Sequence, residues 1–132
     1  MKKLMEETST QKLYWDDENN IVWGELDATP HTLETAKENI DAQERIRDAV
    51  NRERTRVLID MRQTTKVSRE AREYYAGVRT ASIQRATALL ISSPVTVVIA
   101  NFFMGFNRPL SPTRLFTAPG PAIEWLRGFD GG

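Results

Sequence analysis

The run Ser93-Pro94-Val-Thr-Val-Val-Ile-Ala-Asn-Phe-Phe-Met-Gly-Phe106, with residues 86–92 before it, restricts the fold more than any other stretch. Residues 86–92 (Ala-Thr-Ala-Leu-Leu-Ile-Ser) are short, apolar and bounded by small polar residues, the pattern of a strand buried on both faces. Ser93 then stands where a helix N-cap belongs, and Pro94 fits the first turn, whose N–H has no intrahelical partner anyway. Val95, Val97, Val98, Ile99, Ala100, Phe102, Phe103, Met104 and Phe106 make the following helix apolar almost all the way round. Such a helix is expected to be covered by its own domain, a second copy or a ligand.

The rest of the chain supplies a partner for each element. Residues 12–16 and 21–26 flank the turn signal Asp17-Glu-Asn-Asn20 and read as a hairpin, with Tyr14 or Trp15 and Trp23 covering one sheet face. Gly24 inside the second strand suggests a bulge or a close backbone approach. Thr32 is a plausible N-cap for a helix over residues 33–51, with Leu33, Ala36, Ile40, Ala49 and Val50 towards the core and Ile46 near the stripe's edge. The remaining positions, Lys37, Glu38, Asp41, Glu44, Arg45, Arg47 and Asp48 among them, alternate in sign and read as a solvated face. Residues 56–60 form a central strand, and Ser68 caps a second helix whose Ala71, Tyr74, Tyr75 and Val78 follow helical spacing towards the sheet. That helix is expected to end around residues 80–83. After the apolar helix, residues 114–117 make a short strand, Pro119-Gly-Pro121 opens a last helix over residues 122–129, and Gly128 with the glycine tail 131–132 closes the chain. Residues 1–11 are polar and read as a flexible, frayed tail ahead of a domain over residues 12–130.

The resulting order is β-β-α-β-α-β-α-β-α: one α/β domain, with later strands pairing in parallel through right-handed crossovers into a mixed, mostly parallel sheet flanked by helices. At 132 residues the chain is long enough to bury a core without staples. Its 18 basic and 18 acidic residues leave no footprint for nucleic acid or an anionic membrane surface. With no cysteine and a single histidine, His31, neither a thiolate nucleophile nor a multi-histidine metal centre is expected. His31 reads as an exposed loop residue. No stretch has the ~20 apolar residues of a membrane span, and residues 1–11 lack a leader's apolar core, so a cytoplasmic location without membrane insertion is the expectation.

Val57-Leu-Ile-Asp60 before Val67-Ser-Arg-Glu-Ala71, then Ser92-Ser-Pro-Val with Asn101-Phe-Phe, and Pro112-Thr-Arg-Leu-Phe-Thr117 followed by Ala122-Ile-Glu-Trp-Leu126, carry a resemblance. The chain from about Leu13 to Phe129 resembles the STAS domain of bacterial anti-sigma-factor antagonists and sulfate-transporter tails, and more closely the SpoIIAA-like, STAS-like small bacterial proteins. The resemblance implies a SpoIIAA-like fold and a regulatory module that binds other proteins, of anti-sigma-factor or kinase type. In the antagonists a serine at the start of the second helix is phosphorylated by such a kinase. Asp60 matches the aspartate that ends the family's strand. The family's Asp-Ser-Ser-Gly loop falls on Ser68-Arg-Glu-Ala71, so its phosphorylated position is held by Arg69 or Glu70 and Ser68 lies one or two residues early.

The candidate sites follow from these elements. Ser68, and more weakly Thr64 and Thr65, are candidates for phosphorylation or loop regulation, although Ser68 is already accounted for as a cap. Asp60 and Arg62 form a candidate polar pair at a strand's carboxyl end, where open α/β sheets place ligands. Tyr74, Tyr75, Phe102, Phe103, Met104 and Phe106 are candidates for a dimer surface or the lining of an apolar pocket. STAS-like relatives stand beside the CRAL-TRIO lipid-transfer proteins, which makes a fatty acid or lipid the implied ligand. Self-association ranks first for these aromatic residues, since two-fold interfaces are common and rich in aromatics and methionine; core packing ranks second and an apolar ligand third. No paired carboxylates, no nucleophile with a base and no phosphate loop can be assembled. The reading is therefore a non-enzymatic protein-interaction module, a homodimer without cofactor or metal. A binder of a small apolar molecule is the rival, and a hydrolase or transferase a distant third.

Overall fold

The structure, a computed structural model, describes residues 1–130; the glycine tail lies outside the described residues. The chain forms β1 (Lys2–Glu7), β2 (Gln11–Asp16), β3 (Ile21–Leu26), α1 (Leu33–Ala49), β4 (Thr55–Asp60), α2 (Arg69–Ala76), α3 (Val78–Ala81), β5 (Gln84–Leu90), α4 (Pro94–Phe102), a π turn (Phe103–Asn107), β6 (Thr113–Phe116) and α5 (Pro119–Leu126). One six-stranded sheet takes the strands in sequence order. β1, β2 and β3 pair antiparallel, and β3 through β6 pair parallel. This is the mixed α/β domain expected from the sequence.

Handedness then decides where the helices go. Parallel strands laid down in order, each reached by a right-handed crossover, carry every crossover over the same face. α1, α2 and α4 occupy that face, and α5, which follows the last strand, turns back over the other. The strands serve both faces by alternation. Val22, Val57, Ile59 and Leu89 join Ala42 and Ile46 of α1 and Ala100 of α4 in one core. Ile21, Trp23, Leu58, Ala88 and Leu90 join Ala122 and Leu126 of α5 in the other. Strand β5, buried along both faces, is the doubly covered strand its apolar run implied, displaced by two residues towards the N-terminus.

Helix starts are set locally. Thr32 and Ser93 each form a reciprocal capping box with the residue three positions on, Thr35 and Thr96, and Ser68 Oγ accepts from the Ala71 N–H at 3.1 Å. Asp16 accepts from the backbone of Glu18 and Asn19 at 3.0 and 3.2 Å, which shapes the β2–β3 turn. Gly24 is a close approach rather than a bulge: the β2–β3 register is unbroken, and a Cβ there would collide with Gln11 Nε2 and lie 2.8 Å from Ile59 Cδ1.

Four expectations are corrected. The tail expected over residues 1–11 is largely strand β1, an edge strand whose Lys2, Lys3, Glu6 and Glu7 mask it as polar while pairing with β2 holds it. Lys2 Nζ also sits 3.9 Å from the Trp23 ring centroid. The second helix breaks at Gly77, whose extended backbone resets the helical phase, so Val78 faces solvent instead of the sheet. In α1 the buried stripe is Ala36, Asn39, Ile40, Ala42, Gln43 and Ile46, and Ala49 is exposed. The last helix is opened by Pro119-Gly-Pro121 as expected, with the prolines accepted in its first turn, but it ends at Leu126 instead of reaching Phe129. No helix among the described residues is long and apolar enough to cross a membrane.

Leu58 is fully buried where β4 meets α5. Leu58→Ala should lower unfolding stability by about 2–5 kcal/mol in urea denaturation. A loss below about 0.5 kcal/mol, the scale of a surface change, would contradict the two-sided core.

Candidate functional site

The site grows from the loop that follows β3. Asp27 Oδ1 accepts from the Thr29 N–H at 2.8 Å and turns the chain towards α1. His31 then makes one parallel bridge with Val67 in the β4–α2 loop: its N–H donates to the Lys66 carbonyl at 2.9 Å, and its carbonyl accepts from the Ser68 N–H at 3.0 Å. Thr65 Oγ1 fastens the same two loops by donating to the Ala28 carbonyl at 2.7 Å. The bridge carries the imidazole inward, so His31 is 2 % exposed and not the open loop residue expected.

Inside, a chain of hydrogen bonds fixes that ring. Asn39 Nδ2 donates to the Tyr75 hydroxyl at 2.9 Å, and the hydroxyl lies 3.0 Å from His31 Nδ1. The hydroxyl accepts from Asn39, and among the described residues His31 Nδ1 is the acceptor within reach of its own proton, which assigns Tyr75 as donor to Nδ1 and the imidazole proton to Nε2. Burial raises the Tyr75 phenol well above its ordinary range, which keeps this proton in place. Asn39 is itself held: its Nδ2 also donates to Thr10 Oγ1 at 2.9 Å, and its Oδ1 accepts from Thr8 Oγ1 at 2.6 Å. A second chain runs beneath α1, where Gln84 Nε2 donates to Gln43 Oε1 at 2.9 Å and Thr87 Oγ1 donates to Gln84 Oε1 at 2.7 Å.

These groups border a cavity of about 90 Å³ between the sheet and the layer formed by α1, α2 and α4. Its wall is chiefly apolar, with Ile59 and Leu89 from the sheet and Ile99, Ala100 and Phe103 from α4 and the π turn. Among the described residues, four buried atoms of lining residues have no hydrogen-bond partner: Gln11 Oε1, His31 Nε2, Thr64 Oγ1 and Arg72 Nε. The Arg72 guanidinium lies 4.6 Å from the Phe102 ring centroid, and its Nη1 donates to the Val67 carbonyl at 2.7 Å.

The residues singled out from sequence divide between several places. Tyr75, Phe103 and Thr64 line the cavity; Tyr74, Phe102, Met104 and Phe106 are not among its lining residues. Phe102 and Phe106 stack on the outside, centroids 4.9 Å apart, and both are exposed. Ser68 Oγ is engaged in its cap. Asp60 and Arg62 form the expected pair, with Arg62 Nη2 and Nε donating to the two carboxylate oxygens at 2.7 and 2.9 Å. Burial pushes the Asp60 carboxyl up, but the bonds from Arg62 outweigh it and leave the group below its ordinary value. Sequence reading missed His31, Asn39, Gln43 and Gln84. A signal existed for two of them, because Asn39 and Gln43 fall four apart inside the helical stripe of Ala36, Ile40 and Ile46.

Burial lowers the His31 imidazole below its ordinary 6.5, with the nearby Asp27 charge opposing only in part. In the window below that value the unfolded chain binds a proton that the folded one resists, so stability falls as pH falls. The lowered carboxylates of Asp16 and Asp60 act further down, below about pH 4. Urea titrations from pH 7.5 to 5 should show decreasing stability for the native chain and a flatter profile for His31→Gln. An equal slope in the two proteins would contradict a buried neutral imidazole.

The match to known proteins agrees with this architecture. The model of a domain of unknown function, DUF7793, matches residues 14–130. A search of curated proteins finds no match. Among solved structures, an uncharacterized protein of the DUF3478 family with a SpoIIAA-like fold, from Shewanella loihica PV-4, is similar with a TM-score of 0.52 and 13% identity. The similarity covers 96% of this chain and 92% of that one. At that identity the likeness carries the fold and nothing more, and the fold is the SpoIIAA-like one that the sequence resemblance implied. Matched over nearly its whole length by that family's model, the chain belongs to the DUF7793 family.

Proposed function

We propose that the domain is a cytoplasmic, non-enzymatic regulatory module that works by binding protein through the outer face of α4, first of all a second copy of itself. The observation that carries this reading is a bare apolar surface. Val95, Val97, Val98, Phe102, Phe106 and Leu110 are all exposed, with Val98 and Phe106 at 67% and 68%. Along the sequence no charged residue occurs between Arg85 and Arg108, and the Arg72 guanidinium reaches this surface only at Phe102, 4.6 Å from its ring centroid. Only Thr96, Ile99, Ala100 and Phe103 of the helix and its first π-turn position are turned to the domain or partly buried. Apolar surfaces of this kind, gathered in one place, are characteristic of interaction sites.

Charge favours a second copy as the occupant. A two-fold contact sets the same patch of both copies face to face, so a patch of one charge would be turned against itself, whereas an aliphatic and aromatic patch is not. Phe and Met are enriched in such interfaces. The non-enzymatic part of the reading is supported by how the polar groups are employed. His31 Nδ1 is occupied by Tyr75, Ser68 Oγ by its helix, and the Asp60 carboxylate by Arg62.

Size-exclusion chromatography with light scattering tests this directly. The native chain should elute at twice its 15.1 kDa mass. The double variant Val98→Glu/Phe106→Glu should elute at the single-chain mass with an unchanged circular dichroism spectrum, since both side chains already face water. A native chain that remains a single copy at high concentration would overturn the self-association.

A further inference from the structure

Folded proteins pair nearly all their buried polar atoms, and the exceptions call for a cause. Here four of them belong to residues around one cavity: Gln11 Oε1, His31 Nε2, Thr64 Oγ1 and Arg72 Nε. Gln11, His31 and Thr64 are more than nine-tenths buried. Their chemistry is lopsided. His31 Nε2 carries the imidazole proton because Nδ1 accepts from Tyr75, so it is a donor. Arg72 Nε is a donor, the Thr64 hydroxyl can donate, and Gln11 Oε1 is the lone obligate acceptor. Among the described residues no aspartate or glutamate lines the cavity, and Arg72 is the one lining residue with a permanent positive charge, its guanidinium held between the Val67 carbonyl and the Phe102 ring with Nε left unpaired.

The donors also share a place. Thr64 lies three residues before Val67; His31 bridges Val67, and Arg72 Nη1 donates to the Val67 carbonyl. All three therefore surround the loops beyond the carboxyl ends of β3 and β4, where parallel sheets place their ligands. Ile59, Leu89, Ile99, Ala100 and Phe103 supply an apolar wall adjoining this end. The volume, about 90 Å³, is of the order of the ~150 Å³ apolar cavity that takes up benzene, which admits a small molecule and excludes a two-chain lipid.

We propose that this cavity binds a short aliphatic carboxylate, its oxygens taken by Thr64, His31 and Arg72 and its chain laid against Ile59, Leu89, Ile99 and Phe103. A carboxylate supplies acceptors where donors lack them, and its charge is matched by Arg72. Amines and other cations find no carboxylate among the described lining residues; Asp27, whose charge acts on His31, is not one of them. The site lies on the inner side of α4 and its neighbours, so it stands whether or not the outer face associates.

Backbone amide NMR at pH 7.5, where His31 is neutral, tests the assignment with butyrate, hexanoate and octanoate as probes and the alkanols of equal chain length as controls. Saturable shifts should appear at cavity residues, with at least one carboxylate binding at least tenfold more tightly than its alkanol. Arg72→Gln should weaken that carboxylate at least tenfold and leave the alkanol within twofold. Ala100→Met, which fills the apolar part, should abolish both; its circular dichroism spectrum shows whether the fold is kept, and the Arg72 comparison decides the matter if it is not. Shifts with no carboxylate, the result if water alone fills the space, would overturn the proposal. So would equal affinity for acid and alcohol.

Discussion

The handedness of the crossovers governs this molecule. Four parallel strands laid side by side in chain order commit α1, α2 and α4 to one face of the sheet, leaving the other to α5 alone. That crowded layer is uneven, with a 17-residue helix beside helices of eight and nine residues and a break at Gly77. Its helices meet the sheet through two kinds of contact. Ala42, Ile46 and Ala100 pack against Val57, Ile59 and Leu89 as ordinary core. Asn39, Gln43 and Tyr75 meet the sheet side with polar groups, and the cavity lies among them.

Polar groups in that position need one another. Asn39 is reached by Thr8 and Thr10 from the turn between β1 and β2, and it passes the connection to Tyr75 and so to His31. Three distant segments are thereby fixed by one carboxamide, and a low-dielectric setting strengthens each bond while raising the cost of losing any of them. The same network accounts for the direction of two ionisations, with burial holding the Tyr75 phenol protonated and the His31 imidazole neutral.

What could be read from the sequence was what is decided locally. The caps at Thr32, Ser68 and Ser93 depend on residues three positions away, and the β2–β3 turn on Asp17-Glu-Asn-Asn20, where Asn20 takes the left-handed conformation (φ 55°). Strand β5 announced itself by being apolar on both faces. The misplaced features depend on partners remote in sequence. β1 is a strand only because β2 pairs with it, and its own residues are mostly charged. His31 is buried because Val67 bridges it, a contact that no window around His31 reveals. Phe102 and Phe103 are neighbours of the same type, yet one stacks outside on Phe106 and the other lines the cavity; successive helical residues point about 100° apart, and which of the two is covered is decided by the packing of the layer.

Helix α4 and the π turn after it consequently present two different sides. Ile99, Ala100 and Phe103 wall the cavity, and Val95, Val98 and Phe102 face outward without cover. If the proposed association is real, that outward side is its contact surface. Amide hydrogen exchange across residues 94–107, followed as protein concentration is raised, measures this most directly. Exchange there should slow with concentration and α1 should stay unchanged, because cover arrives only with a partner. Exchange of residues 94–107 that is fast and independent of concentration would mean the surface is simply bare, and would contradict the account.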